Sequence, residues 1–245
     1  MEGEKWCPQA AMKAYLSTLH LCRESARGGA ERSSSRSVVA EPECMEFISA
    51  LAAGNGARLI VEIASKTTPL TVALAVAAKQ TGGQMVCILP AQQQVERCKG
   101  YISTRYPDLK DIIKFASGDP CEAMRSLGDQ NVEFAVINGE FGEHLQLLEI
   151  MRKSRGCSIV VERLERSGKG AGGGVVSSFG EAVRGREGVE SVSLPVSGGM
   201  EVTRIKNNNG GKSSGAATTT ADNHDKMGSE RRRSRRRFLV TVESR

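Results

Sequence analysis

The sequence predicts an α/β protein whose strands form a doubly wound, mostly parallel sheet with an antiparallel hairpin near its C-terminal end. Residues 59–63, apart from the acid Glu62, and residues 84–89 after Gln84 are apolar runs, which are typical of parallel strands buried on both faces. Between them, residues 70–80 are rich in alanine and valine and are long enough for about three helical turns. A strand, a crossover helix and a second strand within about thirty residues indicate a βαβ unit.

Two helices are predicted before this unit. Residues 6–22 place apolar side chains at helical spacing, and residues 23–37, rich in arginine, serine and glycine, indicate a mobile linker. Pro42 and the acids beside it predict the start of the second helix, because proline and acidic side chains suit a first helical turn. Gly54 predicts its end, since glycine accepts the left-handed cap conformation.

The segments after the βαβ unit continue the alternation of strand and helix. We predict strands at residues 112–116, 131–137 and 158–161, and helices at residues 92–101, 121–127 and 141–153. Residues 191–194 and 201–205 flank a turn that contains proline and glycine, and predict the hairpin. In such sheets ligands bind beyond the carboxyl ends of the strands, where the strand order reverses. The candidate site residues there are Glu62, Ala64, Ser65, Thr67, Thr68, Pro90, Gly118, Asp119 and Asn138.

The charge of the chain is concentrated in one segment. Residues 204–237 contain ten basic and three acidic residues, a net charge of +7, while the rest of the chain sums to −1. Six arginines occupy residues 231–237, from Arg231 to Arg237. This run is dense enough to direct nuclear import or to contact nucleic acid or another anion, and the other interpretation is a solvated arm between two strands.

Other chemistry-bearing residues indicate no further site. The seven cysteines are scattered without a C-x-x-C pair, so we expect reduced thiols in a cytoplasmic protein. Residues 168–173 match G-x-G-x-x-G but lack a following helix, and we interpret them as a flexible loop. The three histidines are far apart, and we expect surface or structural roles for them. No apolar run is long enough to cross a membrane.

Four short motifs follow one another between residues 41 and 205. They are Val61-Glu62-Ile63 with Thr67 and Leu70, and residues 117–120, 133–138 and 194–200. Together they resemble class I S-adenosylmethionine-dependent methyltransferases, most nearly the small catechol- and caffeoyl-CoA-type O-methyltransferases of plants and animals. In that family the first motif reads Val-Glu-Ile-Gly-x-x-Thr-Gly-x-Ser. The whole chain resembles a plant family of uncharacterised Rossmann-like proteins described as methyltransferase-like.

This resemblance implies an S-adenosyl-L-methionine site with two departures. Ala64 and Thr68 stand where the family has glycines, and a side chain there narrows the approach of the cofactor to the backbone. Pro90 stands where the family has an acid that binds the ribose hydroxyls. We therefore predict weak binding of S-adenosyl-L-methionine, with Glu62 as the retained ligand residue.

The resemblance also identifies the positions that bind a divalent metal in some members of the family. Those members use acids and an amide after the fourth and fifth strands, where this chain has Asn138, Glu162 and Arg163. A guanidinium carries only hydrogen-bond donors and cannot ligate a metal, so we expect no metal.

Three functions follow from these residues, and the substrate and the oligomeric state stay open. The first is a methyltransferase-like protein with a degenerate cofactor site and weak or altered ligand binding. The second is an active methyltransferase whose first turn binds the cofactor through Ser65, Thr67 and Thr68. The third is a non-catalytic interaction protein that uses its basic arm.

The predicted organisation has four segments. An N-terminal helix and flexible linker span residues 1–40, and a methyltransferase-like Rossmann domain spans residues 41–205. A disordered basic insertion at residues 206–237 separates this domain from a terminal strand at residues 238–245.

Overall fold

The computed structural model describes residues 6–28, 42–128, 130–139, 143–154, 156–162, 178–196 and 199–206. These residues form one seven-stranded sheet with helices on both faces, which confirms the predicted α/β class. The strands are β1 (Leu59–Ile63), β2 (Gln84–Leu89), β3 (Ile113–Ser117), β4 (Phe134–Asn138), β5 (Ser158–Glu162), β6 (Val189–Leu194) and β7 (Met200–Ile205). The helices are α1 (Pro8–Gly28), α2 (Pro42–Gly54), α3 (Pro69–Thr81), α4 (Gln92–Arg105), α5 (Pro120–Ser126), α6 (His144–Met151) and α7 (Ser178–Val183). A 3₁₀ turn at Pro107–Leu109 follows α4.

The strand order is β3-β2-β1-β4-β5-β7-β6. Strands β1 to β5 are parallel, β7 pairs antiparallel with β5, and β6 and β7 form the predicted hairpin. β1 pairs with β2 on one side and with β4 on the other, so the order reverses between β1 and β4. A ligand crevice is therefore expected at the carboxyl ends of these two strands.

Successive residues of a central strand point to opposite faces of the sheet and pack in two separate hydrophobic cores. Ile60 and Ala64 of the first strand region pack with α1 to α4, whereas Val61 and Ile63 pack with α5 to α7. Because side chains alternate along a strand, Glu62 points toward the α1–α4 face.

Helix α1 packs against α2 and α3 through a buried chain of hydrogen bonds. Thr18 Oγ1 donates to Ser49 Oγ at 3.0 Å, and Ser49 Oγ donates to the Ala73 carbonyl at 2.9 Å. The helix ends at Gly28, six residues beyond the predicted end at residue 22. The extension includes arginine, glutamate and alanine, which favour helix, although the serines and glycines nearby favour a linker.

The turn between α3 and β2 depends on two glycines. Gly82 caps α3 in the left-handed conformation, with φ at 66°. Gly83 lies directly against the backbone of Arg58, and a Cβ at residue 83 would be 2.2 Å from the Arg58 carbonyl oxygen. The Gln84 N–H donates to that oxygen at 2.7 Å. The first residues of β1 and β2 can lie side by side because residue 83 has no side chain.

Some predicted boundaries are wrong. β4 begins at Phe134 and not at residue 131, since its register with β1 starts at Ile60 and Phe134. Just before it, the Glu133 carboxylate accepts hydrogen bonds from the backbone N–H groups of Arg58 and Leu59. The helix predicted at residues 141–153 is α6, which ends at Met151. Helix α7 was not predicted. It forms where the side chains of Phe179 and Val183 are buried in the core on the α5–α7 face.

Several predictions fall outside the described residues. These are residues 29–37 of the predicted linker, Arg163, the glycine-rich stretch at residues 168–173, the basic run at residues 231–237 and the terminal strand at residues 238–245. Within the described ranges, no helix is long and apolar enough to cross a membrane.

Candidate functional site

Four of the candidate site residues lie at the carboxyl ends of the first four strands. Ala64 follows β1, Pro90 follows β2, Gly118 follows β3 and Asn138 ends β4. The N–H groups of Ala64 and Gly118 donate to carbonyls of β2, at 3.2 Å and 3.0 Å. These site residues therefore lie along one edge of the sheet.

The Glu62 carboxylate lies beneath α3. Glu62 is 2% exposed, and its Oε1 accepts a hydrogen bond from Thr71 Oγ1 at 3.1 Å. Its neighbour on β2 is Cys87. The pKa of Cys87 is well above its usual value, because burial and then the charge and hydrogen bonding of Glu62 disfavour the thiolate. Sequence analysis found Glu62 but missed its partner Thr71.

The turn after β1 is joined to this carboxylate by hydrogen bonds. Thr68 is the N-cap of α3, and its hydroxyl accepts from the Leu70 N–H at 3.2 Å. The Thr68 N–H donates to Thr71 Oγ1 at 3.2 Å, and Thr71 in turn donates to Glu62. Glu62 therefore helps to fix the start of α3. The spacing Thr68-x-x-Thr71 is the signal in the sequence, since it matches a capping box.

Other residues of the same turn contact α4 or lie partly exposed. The Thr67 hydroxyl hydrogen-bonds with the thiol of Cys98 on α4. Ser65 is partly exposed, whereas Ala64 is 4% exposed and belongs to the core on the α1–α4 face. The hydroxyls of Thr67 and Thr68 thus serve contacts within the protein.

At the end of β2, Pro90 is exposed and provides no polar side chain. Three polar side chains of β3 and α4 bond one another. Ser117 Oγ donates to Gln92 Oε1 at 2.9 Å, and Gln92 Nε2 donates to Glu96 Oε1 at 2.9 Å.

The turn after β3 is organised by Gly118 and Asp119. Gly118 has φ at 117°, a conformation that side-chain-bearing residues rarely adopt. Asp119 caps α5, and its Oδ1 accepts from the Glu122 N–H at 2.7 Å. The carboxylate of Asp119 therefore has a structural partner, although the residue is exposed.

The end of β4 brings together Asn138 and a residue that sequence analysis did not place in the site, His144. Asn138 is 4% exposed. Burial lowers the pKa of His144, and a hydrogen bond with the backbone of Asn138 opposes this shift. The imidazole lies edge-on to the ring of Phe179, with 5.9 Å between centroids. The isolated histidine carried no sequence signal, because α7 supplies this neighbour from a distant segment.

The described residues provide no grouped donors for a metal ion. Among them, no set of three histidine, cysteine, aspartate or glutamate side chains lies close enough to hold one. The Asn138 and Glu162 backbones are neighbours on β4 and β5.

A cavity of about 430 Å³ opens beside the turn after β1, on the α1–α4 face. We call it the helix-face cavity. Thr67, Thr68 and Pro69 line one side of it, and side chains of α1, α2, α3 and α4 line the rest. The turn of the predicted cofactor site therefore borders this cavity. Sequence analysis missed the cavity because four separate helices build it.

A family model described as "Protein of unknown function (DUF1442)" matches residues 4–231 of the chain. A comparison with curated proteins found no match.

Solved structures of methyltransferases have the same fold. An O-methyltransferase from Bacillus cereus in complex with SAH is 19% identical, with a TM-score of 0.58 over 78% of this chain and 91% of that one. The SAH-bound methyltransferase PaMTH1 from Podospora anserina is 11% identical, with a TM-score of 0.59 over 79% and 88%. The O-methyltransferase TomG from Streptomyces achromogenes, in complex with SAM, is 17% identical, with a TM-score of 0.55 over 84% and 99%. At these identities the likeness confirms the methyltransferase-like fold.

Proposed function

The chain belongs to the family described as Protein of unknown function (DUF1442), and from that premise we propose a methyltransferase-fold protein with a degenerate S-adenosyl-L-methionine site. In this proposal the protein binds the cofactor weakly. The observation that carries it is the hydrogen-bonded link from the Thr68 N–H through Thr71 to the Glu62 carboxylate. A carboxylate that is 2% exposed and already bonded is poorly placed to receive a ligand amine.

Two further features support a poor fit to the cofactor. Ala64 is 4% exposed, so its methyl group already packs in the core where the related enzymes have glycine. Pro90 offers no acceptor for ribose hydroxyls, and Gln92 is bonded to Ser117 and Glu96. A hydrogen bond to a charged group contributes about 1.5–3 kcal/mol, so a missing ribose acceptor lowers affinity by about tenfold or more.

Calorimetric titration with S-adenosyl-L-methionine and S-adenosylhomocysteine tests this proposal. We expect dissociation constants above about 100 μM for the native protein. Replacement of the proline by an acid, Pro90→Asp, restores a charged acceptor at the end of β2 and should raise affinity by at least about tenfold.

The matched control is Pro90→Ala, which removes the ring and adds no acceptor. We expect its affinity to equal that of the native protein. A native dissociation constant in the micromolar range would contradict the proposal. It would favour the alternative, an active methyltransferase that binds the cofactor through Ser65, Thr67 and Thr68.

We also propose that the basic run at residues 231–237 contacts nucleic acid or another polyanion. The observation behind this second candidate is the charge distribution, with +7 in residues 204–237 and −1 elsewhere. Lys206 lies at the start of that span and pairs with Glu190, with 2.6 Å between Nζ and Oε1. The six arginines of the run are therefore the better candidates for contacts with phosphates.

Fluorescence anisotropy with a labelled duplex at several salt concentrations measures this contact. Changing all six arginines to glutamine should make the slope of log affinity against log salt several units shallower, because each phosphate contact contributes about 0.9. A control with the exposed Arg97, Lys99 and Lys114 changed to glutamine should keep most of the slope. Equal slopes for the native protein and the variant with six glutamines at residues 231–237 would rule out the contact.

A further inference from the structure

The helix-face cavity has the size and lining of a small-molecule site. Its volume of about 430 Å³ is in the range that binding pockets occupy. Val72 of α3 and Ile102 of α4 line it with aliphatic groups. Tyr101 and Tyr106 add two rings in edge-to-face contact, with centroids 5.9 Å apart. Tyr101 is 53% exposed, so its ring can be reached from solvent.

The threonine hydroxyl groups that line this cavity are already bonded within the protein. Thr18 donates to Ser49, Thr67 bonds with Cys98, and Thr68 accepts from the Leu70 N–H. Such groups do not require a partner from a ligand. The body of a molecule bound here is therefore favoured to be apolar.

A second cavity, of about 400 Å³, adjoins the first, because Leu21 and Tyr106 line both. Lys79 and Arg105 line this basic cavity, together with a single acid, Asp108. The pair between Lys79 and Asp108 is loose, with 3.8 Å between Nζ and Oδ2 and exposures of 49% and 83%. One positive charge is left over among these three side chains.

We propose that the two cavities form one binding site for a small aromatic carboxylate. The apolar ring system occupies the helix-face cavity, and the carboxylate lies near Lys79 and Arg105. A guanidinium matches a carboxylate with two parallel hydrogen bonds, which gives Arg105 the larger share of the recognition. This site lies on the α1–α4 face of the sheet and shares only the turn residues Thr67 and Thr68 with the candidate cofactor site.

The test titrates the purified protein with 2-naphthoate and with 2-naphthalenemethanol, a neutral molecule of the same ring system. We expect saturable binding of 2-naphthoate at one site, with the alcohol at least about tenfold weaker. The double variant Lys79→Gln with Arg105→Gln should lose about tenfold in affinity for the acid and little for the alcohol. Arg97→Gln, an exposed change of the same kind on α4, should leave both unchanged.

A second, independent test fills the place where the two cavities meet. Leu21→Trp places a larger side chain where the two cavities meet, and should weaken both probes by more than about tenfold. If that variant does not fold, alkylation of cysteines in the native protein provides the same test. Cys22 lines the helix-face cavity, so bound 2-naphthoate should slow its alkylation and leave that of the exposed Cys7 unchanged.

Three results would overturn the proposal. One is the absence of saturable binding. Another is equal affinity for the acid and the alcohol, in which case Lys79 and Arg105 serve only the C-terminal ends of α3 and α4. The third is binding that neither slows alkylation of Cys22 nor responds to Leu21→Trp. Because the probes contain no part of S-adenosyl-L-methionine, failure here leaves the cofactor proposal to its own titration.

Discussion

Replacing Thr71 with valine is expected to lower the free energy of unfolding by about 2–4 kcal/mol. Valine keeps the shape of threonine but removes the hydroxyl that donates to Glu62 and accepts from the Thr68 N–H. Thr71 is 0% exposed, so water cannot replace the lost partner without opening the core. A buried carboxylate that loses a donor costs more than a neutral group would. Urea denaturation followed by circular dichroism measures the change.

Thr71→Ser is the matched control for this prediction. Serine keeps the hydroxyl and loses one methyl group, which costs about 1 kcal/mol. The difference between the two variants therefore measures the contribution of the hydroxyl group, separately from the loss of packing. If valine were no more destabilising than serine, the Thr71 hydroxyl would not be holding the Glu62 carboxylate, and the main support for a degenerate site would be lost.

Replacing Gly83 with alanine is expected to lower the free energy of unfolding by about 2–4 kcal/mol. The added Cβ would lie 2.2 Å from the carbonyl oxygen and 2.5 Å from the Cα of Arg58. Both atoms belong to the backbone, so no side-chain rotation relieves the contact. The starts of β1 and β2 must separate, which also weakens the hydrogen bond from the Gln84 N–H to Arg58.

Gly100→Ala provides the contrast, because a Cβ at that position in α4 meets nothing within 4 Å. Alanine favours helix over glycine and restricts the unfolded chain, so this variant should be more stable by up to about 1 kcal/mol. Denaturation midpoints of the two variants should move in opposite directions. A Gly83 variant that unfolds at the native midpoint would show that the two strand starts tolerate a side chain.

The sheet could be predicted from the sequence because its signal is local. Apolar runs such as residues 84–89 after Gln84 indicate strands covered on both faces, and their alternation with helices leaves few topologies. The start of β4 could not be found in this way. Val132 reads as part of the strand, but the pairing of β4 with β1 starts at Ile60 and Phe134, which are 74 residues apart in the sequence.

The placement of the candidate residues at one edge of the sheet was predictable, but their contacts were not. The carboxyl ends of β1 to β4 follow from topology, so Ala64, Pro90 and Asn138 could be placed at one edge. The environment of Glu62 could not be read from its motif, because the hydroxyl that binds it comes from α3. The helix-face cavity could not be predicted either, because its lining residues come from segments that are distant in the sequence.

The pairing of β1 on both sides has a consequence for the nascent chain. β2 follows β1 closely in the sequence, so one edge of β1 is covered early. The other edge of β1 stays uncovered until β4 has been synthesised. Leu59 and Glu133, which are in contact at the start of β1, are 74 residues apart. An uncovered strand edge exposes backbone groups that pair with other chains. The interval between emergence of β1 and emergence of β4 from the ribosome is therefore the stage of synthesis most prone to aggregation.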